Sequence, residues 1–252
     1  MRLVLFFLLI GVASLSAEPV LVAAASDLQF VLPELIAQYQ TTHPDVKIGP
    51  TYGASGKFYE QLKNGAPFDL FLSADAAFPR KLIADGLASE SDFFLYGTGH
   101  LVLWVPKNSP LDLPKQGIRA LLDPSVKKIA IANPDHAPYG RAAVAALRSL
   151  GVYDAVKDRL VLGENVVQAA QFVQTGAAEA GLIGLSLALA PKLQAEGRYW
   201  EIPSDAYPRL EQAGILLRNA PNAPDAREFK LWLQTPEAQI VWKKAGFTLP
   251  AE

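Results

Sequence analysis

Ala23-Ala24-Ala25-Ser26-Asp27 and Tyr52-Gly53-Ala54-Ser55-Gly56-Lys57 each close an apolar, strand-like run and open a helix-like one, with a serine at the junction. If the two strands run parallel, both junctions lie on the same edge of one sheet. Serine hydroxyls and the unpaired N–H groups of helix N-termini then face a common point, an arrangement that holds a small anion without a cation.

The same alternation continues outward along the chain. Short apolar runs bounded by turn residues predict strands over 20–25, 46–52, 69–73, 100–105, 128–132, 159–162, 180–185 and 213–217. Between them, apolar residues recur at helical spacing: Leu32, Leu35, Ile36 and Tyr39; Phe58 and Leu62 before Gly65; Ala143, Leu147 and Leu150 before Gly151; Val166, Ala169, Ala170 and Val173 before Gly176. Pro33 is tolerated only in a first turn, so the first regular helix is expected to begin nearer Val31 than Asp27. The alternation predicts an α/β fold with mainly parallel sheets covered on both faces. Tyr96-Gly97-Thr98-Gly99 and Ile202-Pro203-Ser204-Asp205 each precede an apolar crossing strand. They divide the chain into a discontinuous first lobe, 18–102 plus 204–252, and a second lobe, 103–203, with the site in the cleft between them. The alternative is one continuous sheet.

Composition narrows the partners. The 252 residues are 50% hydrophobic and 19% charged, as in an ordinary folded globule. A net charge of -2 argues against a nucleic-acid partner, whose phosphates demand clustered Lys and Arg. No cysteine is present, which excludes disulfides, thiolate metal sites and a cysteine nucleophile. Met1-Arg2, an apolar run from Leu3 to Val12 and the small residues through Ala17 form the pattern of a signal peptide, expected to be cut after Ser16 or Ala17. That run is too short to cross a bilayer, so 1–17 is read as a leader to an exported, soluble chain without stable membrane insertion.

Two more junctions complete the set. Asn133-Pro134-Asp135-His136-Ala137-Pro138-Tyr139-Gly140-Arg141 leaves the 128–132 strand for a helix. Gly163-Glu164-Asn165-Val166 has Asn165 as N-cap, exposing the N–H of Val166 and its successors. Taken singly, each junction is equally an ordinary cap or turn.

These junctions, with Asn64-Gly65-Ala66-Pro67-Phe68-Asp69-Leu70-Phe71-Leu72-Ser73-Ala74-Asp75 between the second and third, resemble the periplasmic molybdate-binding proteins (ModA family) of ABC importers over essentially the whole mature chain. The resemblance implies a type II periplasmic binding protein fold, two α/β lobes with a ligand cleft and hinge. It implies a periplasmic, monomeric receptor that delivers molybdate or tungstate to an ABC permease and its ATPase, with no cofactor and no catalytic residue. Ser26 and Ser55 would give hydroxyl and main-chain donors, and Tyr139 and Val166 main-chain N–H groups. Molybdenum or tungsten would be held only as the oxyanion, through these same residues. Some relatives carry a tyrosine just after the Gly-Leu-Ile strand, where this chain has Gly181-Leu182-Ile183-Gly184, and Tyr139 is the candidate replacement. Asp27 stands beside the ligand serine where many relatives are uncharged, and is expected to point away and cap the helix.

The chemistry agrees with the resemblance. A deprotonated tetrahedral dianion only accepts hydrogen bonds, so its site needs donors and no acceptors. Hydrogen phosphate must also donate, and an inward Asp27 would accept its proton, which makes phosphate the sharpest rival; sulfate stays an alternative that only the size of a rigid cavity would exclude. A serine hydrolase is the remaining alternative. Ser55 is not in Gly-x-Ser-x-Gly, because Lys57 occupies the last position, and His43, His100 and His136 show no metal-ligand spacing.

Overall fold

A computed structural model describes residues 18–250, and the expected leader lies outside the described residues. Ten strands form in chain order: β1 (Val20–Ala25), β2 (Ile48–Gly53), β3 (Leu70–Ser73), β4 (Ala88–Gly99), β5 (Leu101–Pro106), β6 (Ile129–Ala132), β7 (Leu160–Gly163), β8 (Ala180–Gly184), β9 (Gly197–Glu201) and β10 (Leu210–Leu217). They make two five-stranded sheets, ordered β2-β1-β3-β10-β4 and β7-β6-β8-β5-β9.

Strand alternation explains how the first sheet is covered on both faces. Val20, Val22 and Ala24 pack with Leu70 and Leu72 into one cluster, with Leu32, Leu35, Tyr39, Phe229 and Trp242 from the helices above. Ala23 and Phe71 point the other way, against Phe58, Leu62, Phe78 and Leu82. One larger cluster surrounds the second sheet, with Trp104, Ile131 and Leu182 at its centre.

Neither sheet is mainly parallel. The pairs β1–β2, β1–β3, β6–β7 and β6–β8 are parallel, but β10 runs antiparallel to β3 and β4, and β5 antiparallel to β8 and β9. The cause is the crossing itself: β5 and β10 each follow a passage from the other sheet and enter the new one from the opposite end. The chain passes over at His100, between β4 and β5, and returns in the stretch between β9 and β10. This is the mixed, two-lobed α/β architecture of the type II binding fold.

The first regular helix, Leu32–Gln40, begins where Pro33 permits, inside its first turn. Residues Ser26–Leu28 form only a 3-10 turn. Three longer helices begin at the sheet edges facing the lobe junction: Ser55–Lys63, Pro138–Ser149 and Val166–Gln174. Gly65, at φ 84, stops the first of these, as a residue in the left-handed region should.

Candidate anion site at the lobe junction

All five residues singled out in the sequence, Ser26, Asp27, Ser55, Tyr139 and Val166, line one cavity together with small residues such as Ala25, Gly53, Ala74 and Ala137. The space open to the centre of a water-sized sphere is about 10 Å³, room for one compact group and far too little for a sugar or peptide. No lysine or arginine lines it. Positive potential comes instead from the N-termini of the helices that begin at Ser55, Pro138 and Val166, whose first-turn N–H groups lack intrahelical acceptors and whose dipoles favour an anion.

The donors are individually prepared. Ser55 is the first residue of its helix and almost fully buried, and its Oγ accepts from the Ala74 N–H at 3.0 Å. One lone pair is thus occupied and the hydroxyl proton remains for a ligand. Ser26 is buried at the end of β1. Because only a 3-10 turn follows it, no α-helix dipole supports this junction, contrary to expectation. Asn165 caps its helix as expected, but its Oδ1 takes the N–H groups of both Val167 (3.0 Å) and Gln168 (3.1 Å). That leaves Val166, rather than its successors, as the open main-chain donor. Tyr139, second in its helix, likewise has no intrahelical acceptor for its N–H.

Asp27 departs from expectation. Its carboxylate neither points away nor caps a helix: it is 1% exposed and lines the cavity. Oδ2 accepts from Gln212 Nε2 at 2.7 Å, while Oδ1 is buried without a partner. Burial raises the carboxyl to about 6, against the opposing effect of hydrogen bonds from Gln212 and Tyr139. Gln212 also donates to the Tyr139 hydroxyl at 3.2 Å, and its Oε1 accepts from Tyr96 at 2.8 Å. Burial, and next the charge of Asp27, hold the Tyr96 and Tyr139 hydroxyls well above the usual phenol range, so both stay protonated.

Gln212 and Tyr96 were not singled out in the sequence, although a fully buried Gln inside the apolar run Leu210–Leu217 is a readable signal. Tyr139 fills the corner left by Gly184, where an added Cβ would stand 3.1 Å from its ring.

The lobes touch around the cavity. Gly56 N–H donates to His136 O at 2.9 Å, Ser186 Oγ donates to Asp27 O at 2.9 Å, and Arg141 pairs with Asp75 at 2.6 Å. Neither serine bonds to a histidine among the described residues; the Ser55 oxygen is engaged by Ala74 N–H. No helix of the described residues is long and apolar enough to cross a membrane.

Comparison with known proteins agrees with this geometry. Residues 20–248 match the family model described as bacterial extracellular solute-binding protein. The molybdate-binding protein ModA of Azotobacter vinelandii is 37% identical over 243 residues, 96% of this chain and 94% of that one. ModA of Rhodobacter capsulatus is also 37% identical, over 78% of this chain and 75% of its own. The solved Azotobacter vinelandii periplasmic molybdate-binding protein superposes with a TM-score of 0.86 at 31% identity, covering 93% of this chain and all of that one. The chain belongs to the bacterial extracellular solute-binding proteins, in the family of the molybdate-binding protein ModA.

Proposed function

We propose that this protein captures molybdate or tungstate outside the cytoplasm and presents it, enclosed between its lobes, to the permease and ATPase of an ABC importer. The observation that carries the reading is the cavity itself: two buried serines and the first residues of three helices line a space for one compact anion. Ser26, Ser55, Tyr139 and Val166 address the oxygens of the anion, and none of them coordinates the metal. Closure needs no reaction, because a ligand that contacts both lobes selects the closed state. The protein works as a binding protein without catalysis, as an exported monomer whose lobes comprise 18–102 plus 204–252 and 103–203. The names of its relatives support the choice of anion, and the family description supports an extracytoplasmic location.

One observation favours a second reading. The unpartnered Asp27 Oδ1 is the acceptor that hydrogen phosphate would require. Titration calorimetry of the mature chain with molybdate, tungstate, sulfate and phosphate separates the two. Molybdate and tungstate are expected to bind, and Ser55→Ala to weaken them by about 1 to 3 kcal/mol, the cost of leaving a buried oxygen unpaired. Binding of phosphate alone would replace the molybdate reading with the phosphate one.

A further inference from the structure

The cavity that should contain only donors contains one acceptor left over. Asp27 Oδ1 is buried among the lining residues with no hydrogen-bond partner, and no lysine or arginine pairs with the carboxyl among the described residues. A fully deprotonated oxyanion entering beside it would bring its own acceptors and its own negative charge to a site with no cation.

The Tyr139 hydroxyl, although it acts on the carboxyl beside Gln212, leaves Oδ1 without a partner, and Tyr96 cannot repair this by yielding a proton. Tyr96, on β4, has one hydroxyl proton and two acceptors in reach, Ser73 O at 2.9 Å and Gln212 Oε1 at 2.8 Å. With that proton on Gln212, the amide donates to Asp27 Oδ2 and Oδ1 stays unpartnered. With it on Ser73, the amide turns over, gives an N–H to Tyr96 and faces Asp27 with its carbonyl. The 2.7 Å contact then needs a proton on the carboxyl. Either arrangement is completed by one proton on Asp27.

We propose that the occupied site takes up one proton with each fully deprotonated oxyanion, and that Asp27 carries it and donates it to a ligand oxygen. This rests on the oxyanion-receptor reading above. The proton comes from solvent, one O–H bond forms on Asp27, and no other bond changes. Asp27 thereby becomes a specificity-determining residue: deprotonated it opposes a dianion, protonated it adds a donor.

Among the residues that line the cavity, Asp27 is the one titratable group able to take up the proton. Tyr139 on the helix Pro138–Ser149 and Tyr96 are already protonated, and burial likewise holds Tyr52 on β2 up to about 12. The helices Val166–Gln174 and Leu185–Ala188, which pack on the Ser26–Leu28 turn, carry no titratable residue. Asp75 is paired with Arg141, and Glu211, beside Gln212, with Arg209. His136, whose Nε2 is buried without a partner, precedes the Tyr139 helix, and both it and Tyr207 lie outside the cavity lining. Burial has already moved the Asp27 carboxyl toward neutrality, and a bound dianion pushes it further the same way.

The test is titration calorimetry with molybdate at about pH 8 in buffers of contrasting ionisation enthalpy, which reads protons taken up per anion. Wild type is expected to take up about one and Asp27→Asn, which supplies a neutral donor, about none. Between about pH 7 and 9 the affinity of wild type should fall about tenfold per unit while that of Asp27→Asn stays level. The wild-type proton count stands by itself should the variant fold poorly. Molybdate binding without proton uptake in wild type, or with equal uptake in both proteins, overturns the proposal while leaving the receptor reading intact. No binding in either folded protein removes the receptor reading, and the proton with it.

Discussion

Asp27 acts on folding with a sign opposite to that of a paired carboxylate. Its carboxyl sits at about 6 in the folded protein against 3.8 unfolded, so the folded state holds the proton more tightly. Between those values the native chain binds more protons than the unfolded one, and stability falls as pH rises through the window. A shift of this size corresponds to at most about 3 kcal/mol, fully lost above the folded value. Ligand-free Asp27→Asn should therefore gain on wild type in melting temperature between about pH 4 and 7, and a constant offset across that range would show that the folded carboxyl is not raised. The residue's role was only partly legible. Its neighbourhood to Ser26 is plain in the sequence, but its direction depends on Gln212 and Tyr139, which lie 185 and 112 positions away along the chain, the first of them on the far side of two lobe crossings.

At the scale of elements, the strand–helix junctions were the most readable feature, because an apolar run, a small or capping residue and an amphipathic turn are all local signals. Val166 and Ser55 open their helices as the sequence suggests. What escaped is what pairing alone decides. After the buried Ala88, the 12-residue β4 runs through the half-exposed or exposed Ser89, Glu90, Ser91 and Asp92 and meets β10 through two register shifts, so its periodicity is broken. β9 is an edge strand whose Arg198, Tyr199 and Glu201 are exposed, and its sequence resembles a loop. Strand direction is equally silent in a single sequence, hence the wrong expectation of mainly parallel sheets. The cap at Asn165 gives a test on this scale. Asn165→Ala removes the acceptor of two main-chain N–H groups and should lower stability by about 0.5 to 2 kcal/mol in a urea titration. An unchanged midpoint would mean that solvent replaces the cap without cost.

For the molecule as a whole, the approach of the lobes is set by backbone at Gly56. A Cβ there would lie 2.7 Å from His136 O, across the junction, where neither atom is the end of a flexible side chain. Gly56→Ala should thus obstruct closure while leaving each lobe intact. The expected result is at least about a tenfold loss of molybdate affinity, since the competent state becomes rarer. Small-angle scattering of the ligand-saturated variant should retain the dimensions of the ligand-free protein, and compaction equal to wild type would refute the steric account. The corner shared by Gly184 and Tyr139 bears on descent instead of motion. Two aromatic rings cannot occupy it together, so a phenol rooted at position 184 presupposes a small residue at 139, and the reverse. Replacement at either position is conditional on the other. A lineage exchanging one arrangement for the other must pass through an intermediate that is small at both positions, never one that is large at both.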